Sequence, residues 1–351
     1  MTAQALLAQN SYHLVDDNEL AGALQSELSK VLGPERRVVQ FERRLSDYYS
    51  SYVMEELDVV LDDGRELELI FKNLSRDGML EGAIRNKPYF LYNPMREIET
   101  YRRLLSTHAI GTAKFYGAYT DPSTEHYWLF IERVPGTLLW QFGEDEVWQY
   151  VAGWLGNAHS EFAAEAEHRE DPELSQLKVY DQHYYWQWMS RAHAFVHRTA
   201  CGDGSDAVCD IEYLSDRFPH VVDRLMRLPT TVIHGEFYPS NVLLERGADA
   251  TRVCPVDWET AAIGPGLMDL SALTSGSWTE QQRLRMATAY YDAREPNGDE
   301  QSRAEFLVDL DYCSLFMAIQ WLGWSPDWQP PPEHAQNWLT EACRLTKKLG
   351  L

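Results

Sequence analysis

The chain has 351 residues, 44% of them hydrophobic and 12% aromatic, which is enough for a sizeable core in two lobes and excludes a disordered polypeptide. Its 31 basic and 54 acidic side chains leave a formal charge of −23. Such a surface repels nucleic acid and anionic membranes; it serves solubility or attracts a cationic partner.

Residues 1–35 read as a helical extension, with Leu20, Leu24, Leu28 and Leu32 one helical turn apart. From Arg37 the pattern turns to strands: "RVVQFERRL", "SSYVMEELDVVL" and, after the hairpin turn "DDG", "ELELIFKNL". "NPMREIETYRRLLSTH" predicts a helix with Asn93 as cap and Pro94 at its first position. "AKFYGAYT" and "YWLFIERV" add two strands, so residues 36–135 predict a small antiparallel lobe with one inserted helix. "PGT" at 135–137 is a break, and residues 136–351 are mainly helical apart from the segment 230–257. "DWQPPPEH" at 327–334 is a short Pro-rich linker. The whole predicts an α+β, two-lobed architecture.

The five cysteines, Cys201, Cys209, Cys254, Cys313 and Cys343, are odd in number and lack C-x-x-C spacing. That argues against a disulfide framework or a zinc site and fits a reducing, cytoplasmic setting. The N-terminus lacks the basic and apolar regions of a signal peptide, and no run approaches the roughly 18 apolar residues of a membrane span.

The most informative stretch is "TTVIHGEFYPSNVLLERGADATRVCPVDWETAAIGPGLMDL". A strand runs into the loop 232–244, Asn241 opens a second strand, and "RVCPVD" returns to Asp257, within the motif 254–270. An amide and a carboxylate at the two ends of such a hairpin supply oxygen ligands suited to Mg2+ held against nucleotide phosphates. Glu236, on the loop before Asn241, is placed to accept a proton from a substrate hydroxyl. A positioned base, a metal amide and a metal carboxylate together make the machinery of phosphoryl transfer.

This pattern resembles the aminoglycoside phosphotransferase and choline kinase superfamily, with its protein-kinase-like fold. His234, Gly235, Glu236 and Asn241 match its catalytic-loop motif; Val256, Asp257, Trp258 and Glu259 match its metal motif; Gly264, Pro265, Asp269 and Leu270 match the segment after it. The resemblance implies ATP or GTP as donor, Mg2+ as cofactor, and a small-molecule hydroxyl as acceptor, with an acceptor pocket in the C-terminal helices. It makes Lys72 the phosphate-binding lysine and Glu97 its partner, with Glu99 as the alternative. Ser50 and Ser51 fall on the turn that covers the phosphates, although no glycine-rich loop is present. Backbone groups near Glu132, Arg133 and Val134 fall where the family reads the nucleotide base. His159 matches a structural histidine, and Asp269 either braces the loop or caps the helix after it.

Other features stay open. The tryptophans Trp186, Trp188, Trp321, Trp324 and Trp328 read as core or as a face for a cationic or sugar acceptor. The acidic run 161–173 reads as a solvated helix face or as substrate-facing. The family motif carries aspartate where this chain has Glu236, whose carboxylate reaches about one bond further, and near-attack geometry is sensitive at about 1 Å. A working kinase acting on an aminoglycoside, amino sugar, choline-like alcohol, natural product or peptide hydroxyl is the leading expectation. A nucleotide-binding pseudokinase serving as a scaffold is the alternative.

Overall fold

A computed structural model of the chain describes residues 14–48, 51–167, 174–200, 206–247, 250–324 and 336–351. The first 13 residues, Ser50, Cys201, Trp328, the end of the acidic run at 168–173 and the Pro-rich stretch at 327–334 lie outside the described residues. The chain divides into two compact units: residues 1–136 with 243–259, and residues 137–242 with 260–351.

In the first unit, helix α1 (Asp17–Leu32) starts where the Asp16 carboxylate accepts the N–H groups of Asn18 and Glu19, a cap worth about 1 kcal/mol. Its leucines at 20, 24 and 28 are buried in one core with Leu57, Leu69, Phe71, Trp128 and Phe130 of the sheet. Each contributes at most about 1.5–3 kcal/mol of burial. The helix that the sequence sets apart as an extension is therefore part of the sheet's own core.

That sheet comprises β1 (Val38–Leu45), β2 (Met54–Leu61), β3 (Glu66–Asn73), β4 (Phe115–Asp121) and β5 (His126–Glu132). All neighbours are antiparallel, in the order β1-β2-β3-β5-β4. Burial alternates along β2 as a half-covered strand requires. The alternation stops at the end of β3, where Phe71, Lys72 and Asn73 are all buried. Two short helices follow, α2 (Glu81–Asn86) and α3 (Pro94–Glu99), the latter capped by the Asn93 side chain on Met95 N–H. A π-helical turn, Thr100–Leu105, continues α3.

The hairpin of Val242–Arg246 and Thr251–Pro255 belongs to this unit from Leu243 onward. Its anchor is Arg252, which donates to the carbonyls of Gly111 and Thr112 and, at 2.8 Å, to both Glu132 carboxylate oxygens. The sequence reading placed residues 243–259 in the helical portion; the Arg252 bonds tie them to the β-rich unit instead.

The second unit contains α4 (Asp145–Glu161), α5 (Ala163–Glu167), α6 (Gln182–Thr199), α7 (Asp206–Leu225), α8 (Leu267–Leu273), α9 (Glu280–Arg294), α10 (Glu300–Gly323) and α11 (Trp338–Lys348). Cap chemistry sets several of their starts: Asp181 caps α6, and Thr279 with Gln282 forms a reciprocal capping box on α9. A small sheet runs β6 (Lys178–Val179), β8 (Ala262–Pro265), β7 (Thr230–Ile233), with β7 and β8 antiparallel and Ile233 opposite Ala262. Helix α10 is long and apolar enough to cross a membrane by length and composition, yet 56% of its most apolar window is buried. The tryptophans interlock here: Trp188 meets Trp324 at 5.6 Å, Trp186 meets Phe218 at 4.9 Å, and Trp321 stacks on Trp338 at 5.4 Å. Among the described residues, Cys209, Cys254, Cys313 and Cys343 are free thiols.

Candidate active site

In the β-rich unit, Lys72 leaves the end of β3 with 2% exposure. Its ammonium lies 2.8 Å from Glu97 Oε2 and hydrogen-bonds Asp257 Oδ1. Glu97 is on the inward face of α3, held by the Asn93 cap and Pro94. Glu99, the alternative partner, instead pairs with Arg102 and Arg103. Asp257 adopts φ +67, a left-handed conformation that aspartate tolerates better than most residues. It follows immediately on the strand that Arg252 anchors.

Burial alone would drive the Lys72 ammonium toward neutrality, but the carboxylates of Asp257, Glu97 and Glu259 reverse the balance and hold its pKa above the ordinary lysine value. Glu97 moves the other way: burial raises its pKa above the usual carboxylate range, and Lys72 restores only part of the shift. The lysine is therefore charged, and its preferred counter-charge is Asp257.

A second pair lies in the same unit and was missed in the sequence. Lys87 pairs with Glu259 Oε2, and both side chains are under 10% exposed. Ser51 Oγ donates to Glu259 Oε1 at 2.8 Å and accepts from Lys87 at 3.2 Å. Arg96, itself buried, donates to the Glu259 carbonyl at 2.8 Å. The Tyr52 ring centroid is 5.5 Å from each of the two ammonium groups, within cation–π range. Lys87 follows a short helix and precedes a proline, a context with no chemical signature in one dimension. Ser51 is thus committed to Glu259 and Lys87, which leaves its hydroxyl less available to a phosphate than the sequence implies.

The base-reading expectation near Glu132 meets competing uses. Glu132 N–H donates to Lys114 O at 2.8 Å, and Arg133 N–H donates to Glu68 O at 3.0 Å. The Glu132 carboxyl is held below its usual range by the Arg252 hydrogen bonds and serves the hairpin. The Val134 carbonyl accepts from Gly136 N–H at 2.8 Å. The backbone donors of Glu132 and Arg133 are therefore spent within the β-rich unit.

In the helical unit, β7 runs into His234, Gly235 and Glu236. Asp269, at the start of α8 and 1% exposed, accepts His234 N–H at 2.6 Å and Gly235 N–H at 2.8 Å. It is a brace for the loop, the first of the two roles open in the sequence. Gly235 has φ +84, and a Cβ there would lie 2.5 Å from Thr260 O, so no side chain fits. His234 Nδ1 accepts Glu236 N–H at 3.3 Å, and its carbonyl accepts Thr260 Oγ1 at 3.0 Å. His234 anchors the turn.

The loop then closes on itself. Tyr238 N–H donates to Glu236 O at 2.7 Å, and Asn241 Nδ2 donates to the same carbonyl at 3.0 Å. That bond fixes the Asn241 amide, so the oxygen is the end left to a cation. Phe237 and Tyr238 pack the turn against Trp154, at 6.1 Å, and Trp321, at 5.2 Å. Glu236 is half-buried on this turn.

Behind Asp269 stands His159, with Nε2 at 3.3 Å from Asp269 Oδ2 and Nδ1 at 2.9 Å from the Tyr290 hydroxyl. Burial lowers the His159 pKa, and Asp269 only partly offsets that, so the ring is neutral and structural. Thr231 Oγ1 donates to the His159 carbonyl at 2.8 Å and ties α4 to β7.

Asn241 offers an oriented amide oxygen and Asp257 a carboxylate, each a donor type that Mg2+ takes. Lys72, charged and buried, fits a phosphate.

The model of the phosphotransferase enzyme family matches residues 93–306. Among curated proteins no sequence matches at a significant level. Solved structures share the fold. A choline kinase from Cryptosporidium parvum Iowa II has a TM-score of 0.62 at 13% identity, covering 95% of this chain and 96% of its own. Plasmodium vivax ethanolamine kinase gives 0.53 at 11% identity, covering 89% and 82%. The GDP and kanamycin complex of APH(2″)-IIIa gives 0.51 at 13% identity, covering 93% and 97%. The α+β architecture is thus that of the protein-kinase-like phosphotransferases. With the match running from the cap of α3 through the braced loop and the Asp257 motif into α10, the chain belongs to the phosphotransferase enzyme family.

Proposed function

We propose that this protein transfers the γ-phosphoryl group of ATP or GTP to a hydroxyl of a small, cationic molecule. The observation that carries the proposal is the buried Lys72, held charged by Glu97 and Asp257. A buried ammonium kept ionised by two carboxylates is costly unless something uses it, and nucleotide phosphates are the ligand that this family offers. In this reading Lys72 binds the phosphates and Glu97 positions it. Asn241 and Asp257 hold Mg2+, which would neutralise phosphate charge. Glu236 accepts the proton of the acceptor hydroxyl.

The charge of −23 supports a cationic acceptor, as do neighbours named for choline, ethanolamine and kanamycin. A peptide or natural-product hydroxyl is the less favoured acceptor, and a cytoplasmic setting is part of the same reading.

The test is transfer of labelled γ-phosphate from ATP or GTP with Mg2+ to a panel of hydroxylated amines. One acceptor should be labelled well above the hydrolysis background, and Asp257→Ala should abolish the labelling. The scaffold reading rests on Glu236 standing in place of aspartate and on the missing glycine-rich loop. It predicts nucleotide-dependent thermal stabilisation with no transfer to any acceptor.

A further inference from the structure

A second cluster of chemistry-bearing residues lies on helices α6 and α7, among residues that the proposed phosphoryl transfer does not use. His193 and His197 are four residues apart on α6, so both side chains leave the same face. Glu212 faces them from α7, which packs against α6. His193 Nε2 is 3.0 Å and His197 Nε2 2.8 Å from the same atom, Glu212 Oε1. The two rings are 4.3 Å apart between centroids, inclined at 37°.

Three ligand atoms, one from each residue, lie within 4.8 Å of one another. Ligands on a tetrahedral ion with bonds of about 2.0–2.1 Å sit about 3.3–3.4 Å apart. Small rotamer adjustments of three exposed side chains bridge that difference. With each imidazole proton on Nδ1, both Nε2 lone pairs and the carboxylate oxygen face one point.

Two imidazole nitrogens and one carboxylate suit Zn2+ and its first-row neighbours rather than Mg2+ or Ca2+, which take oxygen shells. The cysteine spacing gives no hint of such a site, because no cysteine takes part in it.

We propose that His193, His197 and Glu212 bind a zinc-class transition-metal ion that clips α6 to α7, with a fourth position left to water. Because the ligands come from two helices, the ion binds the folded unit and stabilises it by mass action.

The test uses the full chain, free of any affinity tag and stripped with chelator. Zn2+ is titrated in competition with a chromophoric chelator, and Co2+ is added separately to read its visible spectrum. One equivalent of Zn2+ should bind, four-coordinate Co2+ bands should appear, and Zn2+ should raise the melting temperature. The double variant His193→Ala/His197→Ala should lose all three, and Glu212→Gln should weaken binding by about tenfold or more. A large excess of Mg2+ should not compete. All three side chains are partly exposed, so the variants should keep the wild-type circular dichroism and metal-free melting temperature; His197→Gln is a second, milder probe. Undiminished Zn2+ binding in the double variant, loss of binding on Cys209→Ser instead, or no binding by the wild type at micromolar Zn2+ would each overturn the assignment.

Discussion

The two halves of the proposed machinery are stabilised by opposite means. In the β-rich unit, Lys72 and Lys87 are matched against Glu97, Asp257 and Glu259, all largely removed from water. In the helical unit one carboxylate, Asp269, is satisfied by two backbone N–H groups and a neutral histidine. Charge pairs can be exchanged for a charged ligand at little cost, because a phosphate or a metal replaces the lost partner. A carboxylate bonded to backbone cannot be exchanged without moving the chain. The first arrangement suits a binding site, and the second suits a loop that must hold its shape.

The largest expected effect is on catalysis from the exchangeable side. Asp257→Ala should reduce phosphoryl transfer by at least about 10³-fold, while Lys72 keeps Glu97 and the melting temperature changes little. A melting temperature that collapses with the activity would make Asp257 structural and erase the contrast between the units.

Next is the base. Glu236→Gln should lower kcat by about 10²–10⁴-fold with nucleotide affinity nearly unchanged. Glu236→Asp sharpens the point. A loop built for the longer side chain loses rate when it is shortened, whereas a drifted loop gains. If Glu236→Gln transfers to the true acceptor as fast as wild type, another group takes the proton.

On stability the order reverses. Asp269→Ala leaves two buried N–H groups without an acceptor and should cost about 2–5 kcal/mol, read by urea unfolding. Lys87→Met should cost about 3–5 kcal/mol by stranding Glu259. Adding Glu259→Gln to Lys87→Met should recover much of that loss, as befits a charge pair. No partner change should rescue Asp269→Ala.

The smallest effect is on pH dependence, where the two units should differ in sign. Glu97 has a folded pKa raised above its ordinary 4.5, so the native state binds its proton more tightly than the unfolded chain does. Its contribution therefore falls as pH rises from 4.5 through the folded value. His159 has a folded pKa below its ordinary 6.5, so its contribution falls as pH drops below 6.5. Unfolding midpoints followed from pH 4.5 to 6.5 should shift with opposite slopes for Glu97→Gln and His159→Gln relative to wild type. Slopes of one sign would show that the two sites are not electrostatically distinct.

Much of this was legible in the sequence because its signals are local. Period-two strands, the Asn93–Pro94 cap and the fixed spacing from His234 to Asp269 each sit within a short window. The Lys72 and Glu97 pair required the family pattern, since 24 residues of unrelated character separate them. What stayed hidden depends on contacts at long range. Lys87 gains its meaning only from Glu259, 172 positions away. The commitment of Glu132 to Arg252, 120 positions away, is equally invisible in one dimension. Glu212 likewise reads as one more acid on a charged helix until α6 brings two imidazoles to it.

The return of residues 243–259 to the first unit has a consequence for biosynthesis. During translation the strands, Lys72, Lys87 and Glu97 emerge long before Asp257 and Glu259 do. Until then Lys72 has Glu97 but not Asp257, Lys87 lacks Glu259, and the unit lacks the hairpin that Arg252 secures. The first unit is thus the earlier to begin, yet it cannot be completed until residues 137–242 of the second have been made. A nascent chain stalled near residue 136 should be more protease-sensitive than one stalled after residue 259 has cleared the exit tunnel.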